Sequence, residues 1–123
     1  MIYFVPARKG SERLKNKNLR LVLGRPLIEW TFLFLAKLGV EKSTLVSSDD
    51  DAILHMADRY GCITRKRPEA MCQSGTTMSD VLHYHGPDFH VLANPPDDKN
   101  VCVLYPTSPL RNDKHILMAL RQW

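Results

Sequence analysis

Short apolar runs alternate with segments of helical periodicity along this chain, and the alternation constrains the fold more than any other feature. Four runs have the length and composition of buried strands: residues 2–5, 44–47, 62–64 and 101–104. Buried strands that alternate with helices predict an α/β fold with a mainly parallel sheet and right-handed crossovers. Because 123 residues suffice for one domain at most, we expect residues 1–123 to form a single domain.

Apolar residues at helical spacing predict four helices, at residues 27–38, 51–60, 76–85 and from 112 onward. Pro26 is typical of a helix start and Gly39 of a helix end. One of the three aspartates at 49–51 is expected to cap the second helix. The Gly-Pro pair at 86–87 is expected to stop the third helix, which leaves residues 88–100 as a loop.

The first strand runs directly into a small basic loop. Within ten residues this loop offers five cations, a glycine and a serine, opposed only by Glu12: Arg8, Lys9, Gly10, Ser11, Arg13, Lys15 and Lys17. Backbone N–H groups near Gly10 can turn toward phosphate oxygens, and the cations neutralise their charge. The alternative is an ordinary solvated loop. In a parallel sheet this loop, the turn at 47–50 and the loop at 105–111 follow strand ends and should converge on one rim.

The charge distribution favours a small polyanionic ligand. Residues 1–25 hold seven of the 17 Lys and Arg residues but only one of the 13 Asp and Glu residues. The positive field is therefore concentrated on the basic loop. Nucleic acid binding usually requires aromatic platforms among the cations, and residues 8–25 contain no aromatic residue. We therefore predict no nucleic acid partner.

The lack of targeting signals and the use of cysteine predict a cytoplasmic protein. The chain has no apolar run long enough to span a bilayer and no signal-peptide pattern at its start, so no membrane association is expected. Its three cysteines, Cys62, Cys72 and Cys102, are widely spaced and form no CxxC pair. That spacing indicates reduced thiols rather than a disulfide framework.

Seven short motifs occur in a fixed order along most of the chain. They are Val5-Pro-Ala-Arg-Lys-Gly-Ser11, Lys17-Asn18, Gly24-Arg-Pro-Leu-Ile-Glu-Trp-Thr31, Val46-Ser-Ser-Asp-Asp50, Arg67-Pro-Glu69, Thr76-Thr-Met-Ser-Asp-Val-Leu82 and Tyr105-Pro-Thr-Ser-Pro-Leu-Arg111. In this order the motifs resemble those of the acylneuraminate cytidylyltransferases, which make CMP-activated sialic acid and related nonulosonic acids. The resemblance implies a Rossmann-like three-layer nucleotidyltransferase core.

The resemblance also implies a reaction. A chain of this family would use CTP to activate an acidic sugar, an N-acylneuraminate or a related nonulosonic acid, to its CMP-sugar with release of pyrophosphate. The alternative is a non-catalytic, truncated nucleotide-binding fragment or an interaction subunit. The family's enzymes are longer, so we expect these residues to be the N-terminal part of the core. Such a part would expose apolar surface, so we expect it to self-associate as a homo-oligomer or to be only marginally stable.

The family's nucleotide-binding positions carry over to this chain at Ala7, Arg8, Ser11, Lys17, Asn18, Arg67, Thr76, Thr77 and Met78. Two of these, Arg8 and Lys17, would be catalytic because they stabilise charge on the leaving pyrophosphate. Residues 76–78 would read the cytosine, although one of the two threonines could instead cap the following helix. Lys9 is expected to contribute only to the general positive field.

The resemblance implies Mg²⁺ as the cofactor, with acidic ligands in the family's second half. Asp49 and Asp50 could hold a metal ion, but helix capping is the favoured role. The histidines at 83, 85 and 90 lack metal-ligand spacing, so no zinc site is predicted. Two positions depart from the family pattern: Tyr105 replaces a usual glutamine, and Ser74-Gly75 replaces a common Asp-Thr pair.

Overall fold

The computed structural model describes residues 1–10, 16–73, 75–92 and 100–106. The strands of this part are Ile2–Pro6 (β1), Leu21–Val22 (β2), Arg25–Pro26 (β3), Thr44–Ser48 (β4), Ile63–Lys66 (β5) and Val101–Val103 (β6). The α-helices are Leu27–Leu38 (α1), Asp51–Arg59 (α2), Met78–Tyr84 (α3) and Gly86–Leu92 (α4). Short 3-10 turns lie at Lys17–Leu19, Glu41–Ser43 and Glu69–Met71.

Four strands form one parallel sheet in the order β5-β4-β1-β6. In its register, Phe4 of β1 pairs with Leu45 of β4 on one side and with Val103 of β6 on the other. The chain builds outward from β1 through β4 to β5 and then returns to the opposite side of β1. The predicted α/β fold with a parallel sheet is confirmed, and the order of the strands reverses beside β1.

Alternate residues of the strands supply two cores, one on each face of the sheet. Tyr3, Val5 and Val46 pack with buried residues of α1 and α2, namely Ile28, Phe32, Phe34, Leu35, Ile53 and Ala57. On the other face, Phe4 and Leu45 pack against Val81 of α3, with partly buried residues of α4 around them. Helices on both faces make the fold a three-layer sandwich, as predicted.

Local signals for helix ends are confirmed at two positions. Gly39 ends α1 with φ +70°, and its N–H donates to the carbonyl of Ala36 at 3.1 Å. This left-handed conformation is one that glycine adopts without steric cost. Asp50 is the aspartate that caps α2, because its Oδ1 accepts the N–H of Ala52 at 3.0 Å.

The third helix ends just before the Gly-Pro pair at 86–87, as predicted, but the prediction of a loop from residue 88 was wrong. Residues Gly86–Leu92 form a helix instead of a loop, after a turn at His85. The N–H of Phe89 donates to the carbonyl of His85 at 3.0 Å. Proline has no N–H to donate, and none is needed in the first turn of a helix, so the pair starts α4 rather than merely ending α3. The predicted loop at 93–99 and the helix from residue 112 lie outside the described residues.

A short hairpin of β2 and β3 precedes α1 and was not predicted. Its two-residue turn consists of Leu23, with φ +51°, and Gly24, with φ +82°. Two positive φ values are typical of a type I′ turn, in which Asn-Gly is the preferred pair. Leu23 is therefore strained, and it is also 79% exposed, so its side chain contributes little burial.

Replacing Leu23 with asparagine is expected to stabilise the fold by about 1 kcal/mol, because asparagine tolerates the left-handed conformation better than leucine. Urea unfolding monitored by circular dichroism measures the change. Leu21→Asn, on the same exposed hairpin but outside the turn, is the control and should not stabilise. Equal effects of the two substitutions would contradict the strain at Leu23.

None of the three cysteines is in a disulfide, as predicted. Burial raises the pKa of the Cys62 thiol to about 11, with a smaller contribution from Glu41. Within the described ranges, no helix combines the length and hydropathy needed to cross a bilayer.

Candidate functional site

A cavity of about 280 Å³ opens at the carboxyl-terminal edge of the sheet. Its wall draws on the chain segments that follow β1, β5 and β6, together with the start of α3. Ligands of open parallel sheets bind at this edge, close to the point where the order of the strands reverses. The predicted convergence of the loops after β1 and β6 is seen in the cavity wall, which includes both Arg8 and Tyr105.

Four cationic residues line the cavity: Arg8, Lys9, Lys17 and Arg67. No acidic side chain is among the described residues that line it. A concave surface with cations on several sides focuses positive potential on its interior. The cavity is therefore suited to an anion with several charges, and Lys9 belongs to its wall rather than only to the general field.

Side-chain and main-chain hydrogen bonds hold the start of the basic loop in place. Asp49, just after β4, accepts the N–H of Lys9 at 2.6 Å. The buried amide of Asn18 donates to the carbonyl of Arg8 at 3.1 Å. The N–H of Asn16 donates to the carbonyl of Lys9 at 3.2 Å. These bonds fix the main chain at residues 8–9, from which the two cationic side chains extend.

Arg67 enters the cavity from the segment after β5 and is only 5% exposed. Its Nε donates to Ser47 Oγ at 3.1 Å, and its Nη2 donates to the Ser47 carbonyl at 3.4 Å. Burial lowers the pKa of this guanidinium, and Arg8 lowers it further, while Cys72 and Asp49 oppose the shift. A guanidinium stays protonated in proteins, so Arg67 supplies a fixed, poorly solvated charge.

The Thr-Thr-Met segment at 76–78 forms another part of the cavity wall. Thr77 caps α3 in a capping box: its Oγ1 accepts the N–H of Asp80 at 3.1 Å, and the Asp80 carboxylate accepts the N–H of Thr77 at 2.9 Å. The capping alternative for this segment is therefore confirmed at Thr77. The same residue lines the cavity, so the cap also places its side chain there.

Most residues predicted to bind nucleotide line this one cavity: Arg8, Lys17, Asn18, Arg67, Thr76, Thr77 and Met78. Ala7 lies behind the wall, because it is buried and its N–H already donates to the Ser47 carbonyl at 2.9 Å. Ser11 lies outside the described residues.

Comparison with known proteins identifies the family. The sequence profile of the cytidylyltransferases matches residues 2–123. The chain belongs to the cytidylyltransferase family.

Similar proteins of this family include N-acylneuraminate cytidylyltransferase of Escherichia coli O18:K1:H7, which is 27% identical over 98% of this chain and 27% of its own length. Pseudaminic acid cytidylyltransferase of Campylobacter jejuni serotype O:2 is 31% identical over 97% of this chain and 51% of its own length. The chain thus spans between about a quarter and a half of these two relatives.

A solved structure shares the fold. The CMP:2-keto-3-deoxy-manno-octonic acid synthetase complexed with CTP superimposes with a TM-score of 0.66 at 17% identity, over 98% of this chain and 47% of that one. At this identity the likeness concerns the fold, a cytidylyltransferase fold with a mostly parallel sheet.

Sequence reasoning missed part of the cavity wall. Met71 and Gln73 line it although they belong to none of the seven motifs. Val81 lines it although no binding role was assigned to it within its motif. Met71 is the last residue of the 3-10 turn Glu69–Met71, and Gln73 follows that turn. Val81 packs against the sheet from α3. The Arg67 motif was the only signal near Met71 and Gln73, since their position depends on the path of the chain back across the sheet edge.

The described part of the chain does not form a metal site of its own. It contains no group of three or more His, Cys, Asp or Glu side chains that could hold an ion. Asp49 accepts the N–H of Lys9 and Asp50 caps α2, so both carboxylates already have structural roles. We therefore assign no step of the reaction to a metal ion held by these residues.

Proposed function

We propose that this chain binds CTP in the cavity and takes part in transferring its cytidylyl group to an acidic sugar. The observation that carries the proposal is the set of four cations around a cavity whose described wall has no acidic residue. A triphosphate has the charge and the length to contact several of them at once, and such charge-assisted hydrogen bonds are the stronger ones in proteins. The family assignment supports CTP as the triphosphate.

In the proposed reaction, a hydroxyl oxygen of the sugar attacks the α-phosphorus of CTP and loses its proton. A new oxygen–phosphorus bond forms, and the bond from the α-phosphorus to the bridging oxygen of the β-phosphate breaks. Pyrophosphate leaves with additional negative charge. We assign Arg8 and Lys17 to the stabilisation of that charge, because fixed cations aimed at a developing charge lower the barrier of the step.

We place the cytosine and ribose toward the side of the cavity formed by residues 76–78. Met78 and Val81 offer apolar contact there, while the Thr76 and Thr77 hydroxyls and the main chain offer polar groups. Small-molecule sites combine these two features, with few polar groups that fix orientation. Tyr105 is half-exposed and adds an aromatic ring to the cavity wall.

The proposal predicts that CTP binds at least about tenfold more tightly than CMP, since one additional charge-assisted hydrogen bond contributes about 1.5–3 kcal/mol. Isothermal titration calorimetry of CTP, CMP and cytidine at one salt concentration tests this order. Added salt should reduce the difference between CTP and CMP, because screening weakens the contacts of the phosphates. Equal affinities for CTP and CMP, or no binding of CTP, would contradict a phosphate site.

Turnover is tested separately from binding. The assay measures pyrophosphate release from CTP and Mg²⁺ with N-acetylneuraminate, pseudaminic acid or 3-deoxy-manno-octulosonate as acceptor. Release that depends on one acceptor would support transfer and identify the sugar class. CTP binding without release in any mixture would instead favour the alternative, a nucleotide-binding or interaction subunit.

Several expectations from the sequence stay predictions. They are Mg²⁺ as cofactor, an N-acylneuraminate or related nonulosonic acid as the sugar, a cytoplasmic location, the absence of nucleic acid partners, and formation of a homo-oligomer.

A further inference from the structure

A buried histidine lies next to the cavity, and the proposed reaction does not use it. His85 is 0% exposed, at the turn between α3 and α4. Its Nε2 lies 2.8 Å from Ser47 Oγ, and its Nδ1 lies 3.0 Å from Asp88 Oδ2. The ring of Phe4 packs against the imidazole with a centroid distance of 5.5 Å. A polar side chain this deep requires partners, and it has one at each nitrogen.

The hydrogen bonds form one continuous chain with a single consistent direction. Arg67 Nε–H donates to Ser47 Oγ, so the Ser47 hydroxyl is left to donate to Nε2 of His85. His85 Nδ1–H then donates to the Asp88 carboxylate. In this arrangement every donor has an acceptor, and we assign the tautomer on that basis. A cation at one end and a carboxylate at the other polarise the bonds between them.

The carboxylate end of this chain is held by a second arginine. Arg65 Nε donates to Asp88 Oδ1 at 3.0 Å, which links α4 to the end of β5. Burial would raise the pKa of Asp88, but the hydrogen bonds from His85 and Arg65 outweigh burial and hold it below its usual range. Asp88 is therefore a stable anionic acceptor for His85.

The distances match those of a serine–histidine–aspartate triad, but the burial excludes that role. Ser47 and His85 are both 0% exposed, so an acyl group has no access to Ser47 Oγ. A nucleophilic serine must reach its substrate while in contact with its base. Arg67 is the member of this hydrogen-bonded chain that lines the cavity, so a ligand in the cavity can contact the chain at Arg67.

We propose that Ser47, His85 and Asp88 are positioning residues that orient the Arg67 guanidinium toward the phosphates of the nucleotide. Ser47 accepts from both Nε and Nη2 of Arg67, which fixes the plane of the guanidinium. His85 and Asp88 keep the Ser47 hydroxyl turned away from Arg67, so that its oxygen stays an acceptor. The inference rests on the proposed function, since it takes nucleotide binding to be the purpose of the fixed orientation of the Arg67 guanidinium.

Ser47→Ala tests the proposal, and Ser48→Ala is the matched control. Both serines are fully buried neighbours in β4, but the Ser48 hydroxyl accepts the N–H of Asp50 rather than a bond from Arg67. Ser47→Ala is expected to weaken CTP binding about tenfold relative to Ser48→Ala, the factor that corresponds to about one net hydrogen bond. If Ser47→Ala does not fold, Ser47→Cys, with its weakly bonding thiol, replaces it with the same expectation.

A double variant distinguishes the positioning of Arg67 from an unspecific effect of Ser47→Ala on the fold. In an Arg67→Lys background the Nε–H is gone, so adding Ser47→Ala is expected to leave CTP affinity unchanged. A further tenfold loss in that background would mean that Ser47 does not act through Arg67. An NMR readout needs no nucleotide: the Arg67 Nε–H signal should persist in the wild type and in Ser48→Ala and be lost by exchange with water in Ser47→Ala.

The outcomes distinguish this inference from the proposed function. Wild-type protein that does not bind CTP would overturn the proposed function and the role assigned to Arg67 with it. Wild-type protein that binds CTP, with Ser47→Ala and Ser48→Ala equal in affinity, would overturn the positioning role alone. An Arg67 Nε–H signal that survives in Ser47→Ala would also overturn it.

Discussion

Replacing Arg8 with alanine is expected to weaken CTP binding by about 10- to 150-fold, the range that corresponds to 1.5–3 kcal/mol for a hydrogen bond to a charged group. Arg8 lines the cavity, and its main chain is held by the amide of Asn18. The substitution removes the cation without disturbing that support. Its effect should be smaller for CMP than for CTP and should fall as salt is added. Calorimetry measures both ratios.

Arg59→Ala is the control for the loss of one positive charge. Arg59 is an exposed residue at the end of α2 and is not part of the cavity wall. This variant should bind CTP as the wild type does. The prediction for Arg8 fails if both variants lose the same affinity, because net charge would then explain the change. It also fails if Arg8→Ala lowers thermal stability far more than affinity, which would indicate a structural role.

Replacing Phe4 with alanine is expected to lower the free energy of unfolding by about 3–5 kcal/mol, as is usual for a large buried side chain. Phe4 is 0% exposed in the strand at the centre of the sheet order. Its ring packs edge-on against Phe89 of α4, with a centroid distance of 5.3 Å. The ring of His85 is tilted against it, with a centroid distance of 5.5 Å. A domain's whole stability is about 5–15 kcal/mol, so this variant should be close to unfolded.

Tyr84→Ala is the matched control, since Tyr84 also contacts His85 with its ring but is 45% exposed. Tyr84→Ala should lower the free energy of unfolding far less than Phe4→Ala does. Denaturant unfolding followed by circular dichroism gives both values, with the slope of the transition as a check on two-state behaviour. A small effect of Phe4→Ala would mean that α3 and α4 do not depend on the sheet for their packing.

The main features of the fold could be predicted from the sequence because their signals are local. The apolar runs near β1, β4, β5 and β6 were identified, with ends that differ by a few residues from those observed. Gly39 was identified, and the cap of α2 was restricted to the three aspartates at 49–51, because a helix end depends on the conformation of one residue and on bonds to its immediate neighbours. The Gly-Pro pair at 86–87 correctly indicated the end of α3. The loop predicted after it was wrong, since such a pair is compatible with the start of a helix as well as with the end of one.

The site was predictable only in part. Nine nucleotide-binding residues were predicted from the resemblance to a family, and seven of them line one cavity. Their mutual distances were not predictable. Neither was the presence of Met71 and Gln73 in the cavity wall, because both lie outside the motifs and reach the cavity only through the path of the main chain.

Local sequence patterns were enough to predict the four strands of the parallel sheet, several helix ends and the concentration of positive charge near the first strand. Each of these depends on residues close together in the chain. The contacts among Ser47, Arg67 and His85 form only when the chain folds. These residues are separated by 20 and 38 positions, and their hydrogen bonds depend on the packing of α3 and of the segment after β5 against β4. Parallel strands pair residues that lie far apart in the chain, so this chain of bonds exists only once the sheet has formed.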